Sequence, residues 1–451
     1  YGAPLLQGTL GHSQPDHCKK RNSLKRDFNK ATGPHRFDTG LHGRDSDNLG
    51  NARPDMTQIQ PQGLALSLER RFEQIFGGPS RLYRAPGRVN LIGEHTDYNL
   101  GFVMPAAIDL YCWAAVALRT DRKLHVHSSN FDDAVCIDLD DKSLTRRGDW
   151  SDYVVGTARA LENDGVKLRG ADVLIHGQVP IGSGLSSSAA IEVCTGYALL
   201  DISEMQIDLT QLALACHHAE NEFVGARVGI MDQFISAKGR SGHALMLDCR
   251  SLEAKPLPIP SHLRLIVCNT RVKHQHAGGE YNLRRAQCED GVHRLASAIP
   301  GIETLRDVAP TQLEQHKELL PEVIYRRCRH VVTENERVQQ AAEALSKGDL
   351  PMLGVLMAES HRSMRDDYEI SCAELDTMVE IAGAQPGVIG ARMTGGGFGG
   401  CTIHFVRADA AEAFQASVAI EYEKRTHIHS DIYVLNASEG VHAVAAGEVV
   451  V

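Results

Sequence analysis

The chain has no C-x-x-C pair, only 2 tryptophans, and 5% aromatic residues. It also lacks an uninterrupted apolar run of membrane-spanning length. The nearest candidate, Gly101 to Leu118, is broken by Pro105 and Asp109 and filled in its second half by strand formers, so it reads as a buried strand. The 11 cysteines are scattered singly, mostly inside apolar segments such as those around Cys194, Cys216 and Cys268. That pattern excludes a disulfide framework and a zinc-ribbon site, and it points to a reducing, cytoplasmic compartment. Excess positive charge is missing too: 47 Lys and Arg face 57 Asp and Glu, a net charge of −10, which argues against general nucleic-acid or anionic-membrane binding. Neither nucleic acid nor a membrane is expected as a partner; the chain is expected to be a monomer that takes small-molecule substrates.

What is present is enough for two cores. At 451 residues with 43% hydrophobic content, the chain exceeds what one core usually serves. Residues 1 to 55 lack apolar periodicity and read as an upstream extension, a tag or a disordered arm. After Met56, strand-like runs (Leu82 to Arg84, Leu110 to Leu118, Val173 to His176, Leu263 to Cys268, Thr402 to Val406, Ile432 to Leu435) mix with helical stretches that dominate from Tyr281 to Asp376. The class expected is α+β, or mixed α/β, in two lobes: residues 56–255 and residues 256–451. The boundary is placed at the prolines of Leu252 to Pro260.

Four segments carry chemistry. Pro180-Ile-Gly-Ser-Gly-Leu-Ser-Ser-Ser-Ala189 follows a strand and opens a helix; its glycines admit a polyphosphate, and the free amides of the new helix attract the charge. It lacks the lysine of a Walker loop. In Arg84 to Asn99, apolar residues give way abruptly to Glu94, His95 and Asp97, a set of acceptors suited to a polyhydroxylated ligand. Leu209, Leu212, Ala213 and Cys216 make an apolar helix stripe that Asp208 can cap, and Glu220 falls in its middle, where a carboxylate needs an arginine partner or a metal. Asp232 is a second acid in apolar company and a candidate general base. Gly395-Gly-Gly-Phe-Gly-Gly400, between two strands, implies close backbone approach or positive φ.

In this order the segments resemble the GHMP kinase superfamily and, within it, the galactokinase family, from about Leu66 to the C-terminus. Gly87 to Asn99 is similar to that family's signature, Gly184 to Ala189 to its phosphate loop and Ala391 to Gly400 to its third motif; Glu359 to Glu369, Gly279 to Tyr281 and Arg284-Arg285 also match. The resemblance implies a two-lobed GHMP kinase fold with nucleotide and sugar between the lobes. It implies ATP and Mg2+, and phosphorylation of the anomeric hydroxyl of galactose. By matching position it makes Asp232 the catalytic aspartate with Arg88 as partner, and it places the sugar on Glu94, His95, Asp97, Gly229 and Tyr281. ATP falls on Gly182, Ser183, Gly184, Leu185, Ser186, Ser187, Ser188, Ala189 and Trp150, and the metal on Ser188 and Glu220. Lys273 departs from the Arg of some members. The rival readings are a kinase for N-acetylgalactosamine or arabinose, and a non-catalytic galactose and ATP sensor.

Because residues 1 to 55 lack the apolar content to join a core, their deletion is expected to leave kinase activity and Tm nearly unchanged. A large drop in either, measured on the truncated chain, would contradict that reading.

Overall fold

The structure is a computed structural model that describes residues 61–273 and 277–445; the expectations for residues 1 to 55 fall outside this range, as does the side chain of Lys273. The first half runs α1 (Pro61–Phe76), β1 (Arg81–Asn90), β2 (Phe102–Val103), β3 (Pro105–Leu118), β4 (Lys123–Ser128), β5 (Asp133–Asp138), α2 (Ser151–Asn163), β6 (Ala171–Gly177), α3 (Ser187–Ile202), α4 (Leu209–His218), α5 (Met231–Lys238), β7 (His243–Asp248) and β8 (Ala254–Pro258). The second half runs β9 (Leu263–Lys273), α6 (Ala277–Leu295), α7 (Pro310–Gln315), α8 (Glu322–Lys347), α9 (Leu350–Ser363), α10 (Ala373–Gly383), β10 (Val388–Thr394), β11 (Gly399–Arg407), α11 (Ala411–Thr426), β12 (Asp431–Leu435) and β13 (His442–Ala443). The expected mixed α/β class is what forms. Every strand-like run read from the sequence lies inside a strand, and Gly101 to Leu118 is strand rather than span. No helix among the described residues is long and apolar enough to cross a membrane.

A six-stranded sheet in the order β13-β1-β3-β6-β4-β5 is antiparallel except where β4 meets β6. Its two faces are covered differently. On one, Leu64, Leu68 and Phe72 of α1 bury against Tyr111, Trp113 and Leu174. On the other lies α3, whose interior is apolar on all sides because α2, α4, α5 and the sheet surround it. A four-stranded sheet, β10-β11-β9-β12, carries α10 and α11 on the core of Ile266, Val406, Phe414 and Tyr422.

The segment expected as a lobe boundary, Leu252 to Pro260, contains strand β8, which pairs with β7 in a three-stranded sheet. Its prolines are tolerated because β8 is the edge of that sheet, where a missing N–H breaks no ladder on the open side. The C-terminal strand β13 returns to pair with β1, so sequence halves and sheets do not coincide.

Candidate active site

Site geometry starts in β1. Pro86-Gly87 shifts the β1 to β3 register between Pro86 and Arg88, and the Arg88 N–H donates to Leu185 O at 3.0 Å, tying the strand to the phosphate loop. The buried Arg88 side chain then forks: Nε reaches Asp232 Oδ1 at 2.7 Å, Nη2 reaches Oδ2 at 2.6 Å, and Nη1 reaches Gly184 O at 2.5 Å. Asp232 lies in the first turn of α5 and also accepts from the Ser186 hydroxyl. The catalytic pair implied by resemblance is thus a bidentate ion pair clamped to the loop.

The segment read as a phosphate loop has the backbone that its glycines imply. Gly182 and Gly184 take positive φ, Ser186 sits at the left-handed N-cap, and α3 starts at Ser187. Gly182, Gly184 and Ser186 to Ser188 line a cavity of about 580 Å³ together with Trp150, Arg146 and Phe131. Ser183, Leu185 and Ala189 do not line it: the Ser183 hydroxyl donates to Pro180 O at 2.7 Å, and the other two side chains are core residues. Trp150 faces Phe131 with planes 9° apart and centroids at 6.4 Å.

A second cavity of about 120 Å³ is lined by Arg88, Glu94, His95, Asp97, Gly229, Asp232, Tyr281 and Gly396, so all five sugar candidates meet there. Asp97 opens a single 3-10 turn, Asp97–Asn99. Burial and then the neighbouring Asp232 charge push its pKa up to about 6. Gly229 is required by proximity, because a Cβ there would overlap the Asp97 carboxylate. His95 has φ 61 and is held low, near 3, chiefly by burial, so its ring is neutral. The Glu94 carboxylate is engaged by the framework: it accepts from Arg392 at 2.8 Å, from the Gly395 N–H at 2.8 Å and from Asn90.

Glu220 is buried as its place on the stripe implied, and Asp208 caps α4 as expected. The chain widens into a π-helical turn, Ala219–Val224, just as it reaches Glu220. No arginine pairs with its side chain among the described residues. Its partners are Gln233 Nε2 at 2.6 Å and the Ser188 hydroxyl, and burial followed by the Asp232 charge lifts it to about 7. Sequence reasoning missed Glu192, whose carboxyl shares the Gln233 amide at 3.1 Å. It sits in the stretch Ala190 to Leu200, where the rule that singled out Glu220 applies equally. Arg392, fully buried in β10, was likewise visible as a lone charge inside an apolar strand.

The glycine run packs backbone on backbone. A Cβ at Gly395 would meet Gly184 O at 2.8 Å, one at Gly400 would meet Ser183 O at 2.8 Å, and Gly395, Gly397, Gly399 and Gly400 all have positive φ.

Comparison with known proteins agrees with this geometry. Residues 152–240 match the GHMP kinases N terminal domain and residues 341–424 the GHMP kinases C terminal domain. The fold and phosphate loop thus define a GHMP-type kinase. Residues 70–118 match the galactokinase galactose-binding signature. The chain is 48% identical to the galactokinase of Chloroflexus aggregans over 84% of its length and 97% of that protein. It is 44% identical to that of Glaesserella parasuis, over 83% and 98% respectively. The Lactococcus lactis galactokinase complexed with galactose superposes with a TM-score of 0.82 at 34% identity, over 84% of this chain and all of that one. A Methanococcus jannaschii mevalonate kinase, at 18% identity and TM-score 0.56, shares the fold alone. The chain belongs to the galactokinase family.

Two outcomes follow from the site's packing. Gly229→Ala is expected to cut turnover by about tenfold or more by displacing Asp97, with steady-state kinetics as the check. The folded pKa of Asp97 lies above its unfolded value, so the fold favours the protonated form, and that advantage is lost as pH rises through about 6. Asp97→Asn should therefore stabilise the protein by about 1–3 kcal/mol at pH 8 relative to its effect at pH 4.5, read as the difference in Tm shifts.

Proposed function

We propose that the chain transfers the γ-phosphoryl group of ATP to the anomeric hydroxyl of D-galactose. One observation carries the reading: Arg88 and Asp232 line both the cavity walled by the phosphate loop and the cavity walled by the signature residues. A cation and a carboxylate shared by two adjoining cavities are where a hydroxyl from one can meet a phosphoryl group in the other.

In this mechanism the loop amides and the N-terminus of α3 hold the phosphates, with Trp150 beside the base. Asp97, with its acceptor oxygens, reads the sugar hydroxyls, and Glu94, His95, Gly229 and Tyr281 close the sugar cavity. Asp232 orients the anomeric hydroxyl and takes its proton as the new O–P bond forms and the β–γ bridging bond breaks, releasing ADP. Arg88 fixes Asp232 and supplies positive charge to the transferring oxygens. Proton removal of this kind contributes about 10²–10⁴ in rate.

The Ser188 hydroxyl and the Glu220 carboxylate fit Mg2+: both are hard oxygen donors, and two protein ligands suffice for an ion that keeps waters and binds phosphate. When bound, Mg2+ would offset charge on the phosphate oxygens. The singly placed, free cysteines of the described residues support a cytoplasmic setting.

ADP release should be strong with galactose and far weaker with glucose, since a site built to bond one hydroxyl strands its own polar groups when the epimer binds. Asp232→Asn should keep the fold and ATP binding and lose about 10²-fold or more in kcat. Equal turnover of the two sugars would defeat the substrate assignment, and near-normal kcat in Asp232→Asn would defeat the role of Asp232.

A further inference from the structure

The segment Glu359 to Glu369 takes no part in the mechanism above, yet the fold holds it firmly. After α9 the chain makes a π-helical turn, Met364–Tyr368, and Glu369 follows with φ 53. Four arginines fasten this turn. Arg284 donates to Tyr368 O at 2.7 Å and to Glu369 O at 2.8 Å, Arg326 pairs with the Glu369 carboxylate at 2.6 Å, Arg327 binds the same carboxylate, and Arg329 binds Asp367. The residue so fixed, Tyr368, is fully buried, and its hydroxyl lies 2.7 Å from that of Tyr98. The Tyr98 hydroxyl lies 2.7 Å from His95 Nδ1, and His95 Nε2 lies 3.2 Å from Gly396 O.

The chemistry of these groups gives the chain a direction. A carbonyl oxygen only accepts, so His95 Nε2 carries a proton. Burial keeps the ring neutral, so Nδ1 accepts and Tyr98 must donate to it. The single Tyr98 proton is then committed, so Tyr368 donates to Tyr98, with Cys288 Sγ at 3.1 Å from the Tyr368 oxygen at the far end. Gly396, the last group of this hydrogen-bond chain, lines both cavities and a third one shared with Tyr281 and Gly184. The same turn grips the other side of the glycine run, since Ile370 O accepts from the Phe398 N–H at 2.7 Å.

We propose that Tyr98 and Tyr368 are positioning residues, a one-way hydrogen-bond chain that fixes His95 as its Nε2–H tautomer and through it sets the Gly396 carbonyl at the junction of the cavities. The packed ring leaves the tautomer as the open choice: without a donor at Nδ1 the proton can sit on either nitrogen, and an Nδ1–H ring presents no donor to Gly396. The kinetic consequence rests on the galactose kinase reading; the tautomer does not.

Nitrogen-15 NMR of histidine-labelled protein, with the His95 signals assigned by their loss in His95→Gln, tests the tautomer directly. Wild type should show a neutral ring protonated at Nε2 across about pH 5.5 to 8. A charged ring, or one protonated at Nδ1, would overturn the proposal without recourse to any variant. In Tyr98→Phe the ring should become a mixture of tautomers; an unchanged single tautomer would also overturn it. Kinetically, losing one such bond should raise the KM for galactose about tenfold in Tyr98→Phe and about threefold in Tyr368→Phe, with kcat within about threefold of wild type. A fall in kcat with unchanged galactose KM would contradict a positioning role. If wild type itself released no ADP with galactose, the functional reading would fail, and the NMR arm would still decide the relay.

Discussion

Everything at the centre of this protein depends on where one guanidinium sits. Arg88 joins three elements that are distant in sequence: β1, which carries it, the phosphate loop through Gly184 O, and α5 through both oxygens of Asp232. A planar fork with fixed donor directions can specify such a junction, whereas an ammonium group could not. Replacing a buried ion pair with apolar residues is often neutral for stability, so the gain here is geometric. The pair sets the acid, the loop carbonyl and the strand to one another before any ligand arrives.

Around that cation the site gathers more acids than it can neutralise. Asp97, Glu220 and Glu192 are all buried near Asp232, and burial raises the pKa of each of the three. Gln233 mediates part of the conflict by giving one amide hydrogen to Glu192 and the other to Glu220. Its own oxygen and Glu192 Oε1 are left without partners. Such an arrangement is costly to the folded state, and acids perturbed in this way gather at functional sites.

A second buried ion pair supports the first from behind. Arg392 of β10 meets Glu94, whose other oxygen accepts from Gly395, and Glu334 of α8 takes the Gly93 N–H at 2.9 Å, the Ser360 hydroxyl at 2.6 Å and Arg337 at 2.7 Å. The signature turn, α8, α9 and the glycine run are thereby fixed to one another. Only glycine lets the run lie directly on Ser183 and Gly184, because side chains there would push the loops apart.

The sequence by itself determined the local chemistry. Pro180 to Ala189 could be read as a phosphate loop because its signals, glycine, serine and a following helix, are contiguous, and the same holds for the signature acids and the glycine run. Strand runs and the Asp208 cap were legible for the same reason: period and capping are short-range properties. Tertiary structure decided how those pieces meet. Leu252 to Pro260 reads as a lobe boundary because prolines punctuate a sequence; that it also carries a strand depends on its being a sheet edge, which only its neighbours decide. Glu94 reads as a ligand residue from the sequence, and only the fold shows that its carboxylate also holds Arg392 and Gly395, some 300 positions away. The chain from Tyr368 through Tyr98 to His95 was hidden because no sequence pattern records a hydroxyl's distance to a ring nitrogen. Hydrogen bonds act over about 3 Å, and only folding brings residues from opposite ends of the chain that close.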